Sequence, residues 1–77
     1  MLVDSELHYR DLEARLEEII NNLPQRQKEI YLMHKVDGLK YSEIAERLHI
    51  SVNTIENHMA RALKTIREKL SSYSLMG

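Results

Sequence analysis

Two amphipathic helical segments, residues 41–48 and 52–70, are separated by only His49, Ile50 and Ser51, and this spacing constrains the fold more than any other feature of the chain. A three-residue link leaves no room for anything but a tight turn, so the pair reads as a helix-turn-helix. In the first segment Ile44, Ala45 and Leu48 fall at i, i+1 and i+4, a narrow apolar stripe that turns Glu43, Glu46 and Arg47 to water. Ala45 is small where two helices must approach closely. Ser51 is a good start for the second helix, because its hydroxyl accepts from backbone N–H groups that the first turn leaves unpaired. Within that helix Ile55, Met59, Ala62, Leu63, Ile66 and Leu70 recur at i, i+4, i+7, i+8, i+11 and i+15. They form one continuous core-facing stripe.

The stripe fixes which residues look outward: Asn53, Glu56, Asn57, Ala60, Arg61 and Lys64. Asn and Arg carry paired donors and acceptors that match the edges of adenine and guanine, and Lys64 is placed to meet a phosphate. The plainer alternative is a helical hairpin inside an ordinary bundle. Against it stand the cap, the turn length and the polar outward set, which agree with one another.

Two further helices support the motif. Leu12, Leu16, Ile19, Ile20 and Leu23 repeat with helical spacing, which predicts an amphipathic helix over about residues 5–22, capped by Ser5 or Asp4 and acidic in its first turns. Pro24 breaks it and suits the first position of another helix, over about 24–36, that buries Ile30 and Met33 and stops at Asp37-Gly38. Tyr31 and Leu32 flank that stripe, so one of them is expected as surplus apolar surface. The tail 71–77 is expected to fray. The fold expected is therefore all-α: a small four-helix domain, 1–77, containing a helix-turn-helix without a wing.

Composition narrows the class. At 77 residues the chain is bounded to one domain, and with no Cys it lacks disulfides and belongs in a reducing, aqueous compartment, the cytoplasm. The net charge of −1 conceals a division: residues 1–23 hold six acids and two bases, a balance of −4, while 24–77 hold nine bases and six acids, a balance of +3. A basic carboxyl-terminal part is the electrostatic footprint of phosphate contact, though +3 predicts weak, salt-sensitive binding without a partner. His8, His34, His49 and His58 never pair at i, i+4, so no metal site is read, and no cofactor is implied. Glu13, Glu17 and Glu18 sit on a water-facing surface, so catalysis is unsupported.

The ordered set Leu23-Pro24, Ile30, Met33, Gly38-Leu39, Tyr41, Glu43-Ile44-Ala45, Ile50-Ser51, Thr54-Ile55 and Arg61-Ala62 resembles region 4 of bacterial RNA polymerase sigma factors of the extracytoplasmic-function (ECF) type, over roughly residues 11–70. The resemblance implies binding of the double-stranded −35 promoter element through Lys40, Ser51, Asn53, Thr54, Glu56, Asn57, His58, Arg61 and Lys64. It also implies docking on the β flap of core polymerase through Leu16, Ile20, Leu23, Tyr31 and Leu32, as a monomer with no membrane attachment, and it makes an anti-sigma factor a further candidate partner. Two positions depart from the family pattern: His49 stands where Gly is usual, and Glu56 where a base is common. The alternatives are a LuxR-type response-regulator output domain, to which the Asn57-His58 pair is also similar, and a domain acting by protein contact alone. A full sigma factor of this type carries a preceding domain that melts DNA with aromatic residues, and this chain has neither Trp nor Phe. It is therefore expected to be a carboxyl-terminal portion that does not initiate transcription alone.

Overall fold

The computed structural model describes residues 2–76, with side chains from Arg10 to Ser71. Four helices follow in order: α1 Leu2–Asn21, α2 Gln25–Lys35, α3 Tyr41–Leu48 and α4 Val52–Met76. There is no strand among the described residues, so the chain is all-α as its periodicities predict. The long helices differ from expectation at their outer ends. Helix α1 already includes Asp4 and Ser5, so neither residue caps it. Helix α4 continues to Met76, past the expected end at residue 70 and through the tail expected to fray. Residues 71–76 contain neither Pro nor Gly, so nothing in the backbone forces a stop at Leu70. Because α1 and α4 are long, the Cα trace extends 48 Å in one direction and only 21 and 15 Å in the others.

The core has two clusters that share α4. In the first, Ile30 of α2, Ile44 and Ala45 of α3, and Ile55 and Met59 of α4 are buried together, with Leu48 and Leu63 packed at the margin. In the second, Ile19 and Leu23 meet Ala62 and Ile66, with Leu16, Ile20 and Leu70 at the margin. Ala62 is fully buried where α1 crosses α4, and its single methyl group lets the two helices close up. Tyr31 packs against both clusters. It is therefore not surplus surface, and Leu32, which belongs to neither cluster, is the residue left over.

The links between helices are stiffened by local chemistry. Pro24 stands one residue outside α2 as its N-cap, with φ −53° and ψ 145°. At the far end of α2, Gly38 takes φ +72°, and a Cβ there would touch nothing within 4 Å, so the glycine serves the backbone angle alone. His34 Nδ1 lies 2.9 Å from the Leu39 carbonyl oxygen, and its ring lies 4.8 Å from that of Tyr41, which ties α2 to the start of α3. There the Glu43 carboxylate accepts from the Lys40 backbone N–H at 2.8 Å.

The turn of the helix-turn-helix is more closely determined. His49 adopts φ 57° and ψ 43°, the left-handed conformation that accounts for Gly being usual at this place in the family. Its N–H donates to the Glu46 carbonyl at 3.4 Å and that of Ile50 to Ala45 at 3.1 Å, the paired bonds of a Schellman ending. Ile50 then packs against the first cluster, and Ser51 caps α4 by accepting from the Thr54 N–H at 3.1 Å.

Replacing His49 with Gly, which adopts this conformation without steric cost, is expected to stabilise the chain by about 1 kcal/mol in chemical denaturation. Ser51→Ala is expected to destabilise it by ~1 kcal/mol through loss of the cap. An unchanged midpoint for both variants would mean that the turn does not contribute to stability in this way.

Candidate nucleic-acid interface

Helix α4 is amphipathic around its circumference. Its inward stripe holds both core clusters, so the opposite side carries no packing duty. On that side Asn53, Glu56, Asn57, Ala60, Arg61 and Lys64 are all exposed. No hydrogen bond or ion pair among the described residues engages Asn53, Glu56, Asn57, Arg61 or Lys64. Their donors and acceptors are therefore free for a ligand. Asn53, Asn57 and Arg61 stand one turn apart in a row, and at 1.5 Å per residue the row spans roughly 12 Å, the length of three or four base-pair steps. Lys64 lies one turn further, and exposed Arg67 continues the basic edge beyond the point where the sequence reading stops. Its signal was available, as a base three residues after Lys64.

The remaining candidate residues fall into different positions. Lys40 is exposed at the N-cap of α3, on the helix that precedes the turn. The hydroxyls of Ser51 and Thr54 lie 2.9 Å apart and are engaged in the cap, so each is left with reduced capacity for another partner. His58 is only half exposed. Its Nδ1 is buried with no hydrogen-bond partner, so the ring sits at the boundary between stripe and surface and offers a ligand only its other edge. Periodicity could not show this, because position 58 lies three residues from Ile55 and next to Met59, at the shoulder of the stripe.

The five residues expected to form a docking surface do not form one exposed set. Leu23 is buried, and Leu16 and Ile20 lie against the α1–α4 cluster. Tyr31 is held between clusters, for the reason given above. Leu32 is half-buried, and one turn on, Val36 is 73% exposed. The apolar surface left over here is thus Leu32 of α2, opposite buried Ile30, together with Val36 at the C-cap of the helix, a position that the helical stripe does not reach. No group of three or more His, Asp or Glu side chains among the described residues is arranged to hold a metal ion.

Comparison with known proteins places this architecture. A family model described as sigma-70, region 4 matches residues 13–66. The chain is 37% identical over 68 residues to RNA polymerase sigma factor SigV of Bacillus subtilis (strain 168), an alignment covering 88% of this chain and 40% of that protein. It is 33% identical over 49 residues to the ferric citrate uptake sigma factor FecI of Escherichia coli (strain K12), covering 64% of this chain and 28% of that one. A third relative, the ECF RNA polymerase sigma-E factor of Haemophilus influenzae, is 30% identical over 67 residues, 87% of this chain and 35% of its own length. The chain thus spans well under half the length of these relatives. Since the matched stretch takes in the turn, the cap and the exposed row of α4, this chain belongs to the sigma-70 region 4 family.

Proposed function

We propose that this chain binds the −35 element of promoters as the region 4 module of an ECF-type sigma factor and so directs RNA polymerase, in the cytoplasm, to its initiation sites. The observation that carries this reading is the row Asn53, Asn57, Arg61 and Lys64: exposed, free of protein partners, and mounted on a helix whose other face holds the core. In a helix-turn-helix the first turns of the second helix enter the major groove, which assigns base edges to Asn53, Asn57 and Arg61 and a flanking phosphate to Lys64. Lys40, at the head of α3, is assigned a phosphate of the neighbouring strand. Polymerase contact is assigned to the Leu32–Val36 edge of α2, an apolar pair that the core leaves over. The flap of the β subunit, or an anti-sigma factor competing for the same surface, is the occupant proposed.

Binding is measured on a duplex selected by the chain from a randomised pool, and on a scrambled control. Arg61→Ala is expected to cost ~1 to 3 kcal/mol on the selected duplex and little on the control, because a lost bidentate pair removes discrimination. Lys64→Ala is expected to weaken both about equally and to lower the salt dependence by about one counterion. Equal losses for Arg61→Ala on the two duplexes would remove its base-reading role.

Titration with the isolated flap segment tests the second surface. Leu32→Asp is expected to abolish binding while the chain stays folded, whereas Tyr31→Asp is expected to unfold it, since a charge would then lie between the two core clusters. A monomer that binds the flap supports the proposal. A stable dimer indifferent to the flap would overturn the assignment of this edge to polymerase contact.

A further inference from the structure

Two large hydrophobic side chains are exposed among the described residues, Val36 and Val52. Val36 continues the apolar edge of Leu32. Val52 has no such explanation: it opens α4, is 40% exposed and belongs to neither core cluster. Helix formation gives no reason for it, since a β-branched side chain is a mediocre helix former. Its surroundings are polar, with Asn53 exposed beside it and Glu56 exposed one turn along the same edge of the helix. On that edge of α4 the side chains of Val52 and then Glu56 offer a methyl surface and an acceptor, and neither carries a hydrogen-bond donor.

Major-groove chemistry supplies a specific match. Thymine is the only base that presents an apolar group there, its C5-methyl, and the amino groups of cytosine and adenine are the only donors. Glu56 is an acceptor that phosphates and guanine O6 or N7 would repel, so it fits an amino group. Four residues of helix rise amount to about 6 Å, which puts the partners of Val52 and Glu56 within one or two base-pair steps of each other. Resting on the reading of α4 as the base-reading helix, we propose that Val52 is a specificity-determining residue that packs on the C5-methyl of one thymine, beside the cytosine or adenine amino group accepted by Glu56.

The test replaces each thymine of the selected duplex in turn with deoxyuridine, which lacks only the C5-methyl, and measures affinity for the unaltered chain and for Val52→Ala. One thymine is expected to stand out, its replacement weakening the unaltered chain about fourfold, the effect of one buried methyl group. Val52→Ala, with its melting curve unchanged because the side chain lies outside both clusters, is expected to be indifferent to that replacement. Arg61→Ala is expected to remain sensitive to it. The assignment is overturned if no thymine stands out, or if Val52→Ala keeps the full sensitivity. In both cases the selected duplex still binds, so the reading of α4 survives; only a failure to select any duplex would overturn that reading and this inference together.

Discussion

One face of α4 must bury two clusters that come from different parts of the chain, and the rest of the arrangement depends on that requirement. Ile55 and Met59 complete a core begun by α2 and α3, while Ala62 and Ile66, further along the same stripe, complete a core begun by the end of α1. A helix packed along this much of its length has little freedom to roll about its axis. Its polar face is consequently presented in a fixed direction without any hydrogen bond of its own to hold it there. This separation of duties explains why the side chains of Asn53, Asn57 and Arg61 show no protein partners: their orientation is set by apolar packing on the other side of the helix.

Much of this was legible in the residues, and for a physical reason. Helical periodicity reports burial directly, so Ile44, Ala45, Ile55 and Met59 could be placed in one core before any coordinates were known. Backbone angles were legible too where side-chain chemistry demands them. The left-handed angle at His49 was legible through the resemblance, since Gly is usual there, and Ser51 was legible as a cap because the following N–H groups need an acceptor. What escaped the sequence was whatever depends on a third element. Tyr31 lies beside its helix's stripe and looks like surplus from α2 alone; only the convergence of α1, α3 and α4 around it shows that it joins both clusters. Likewise Leu23, Leu16 and Ile20 form an apolar stripe that reads equally well as core or as docking surface until α4 is found lying on it. The outer ends of α1 and α4 were misjudged because helix stops are read from Pro, Gly and capping residues, and Ser-rich composition is a weak substitute for them.

Charge distribution complements the packing. Asp11, Glu13, Glu17 and Glu18 of α1 are exposed, and the Arg15–Glu18 contact at 3.3 Å lies at the surface, where such a pair contributes little to stability. The charge is divided along the sequence, −4 over residues 1–23 and +3 over residues 24–77, so the first part repels phosphates and the second attracts them. On the proposed reading, this balance favours approach of a duplex to the basic part. This bias is screened over about a Debye length, roughly 8 Å at physiological salt, so it acts on the final approach rather than on capture from afar.

Glu56 shows how such a modest charge balance is consistent with a reading role. A base at that position would add attraction for every duplex alike, since phosphates are the same in all sequences. An acid there lowers affinity for all DNA but lowers it least where an amino group stands opposite, so discrimination rises as affinity falls. A module working alone could not tolerate that exchange for long, because its weak binding would leave most sites empty. One tethered to a larger partner gains effective concentration from the tether and needs from its own contacts only the difference between right and wrong sites. On the proposed reading, the acid on α4, the small positive balance and the leftover apolar edge of α2 fit one division of work, in which this chain selects the site and a bound partner supplies most of the binding strength.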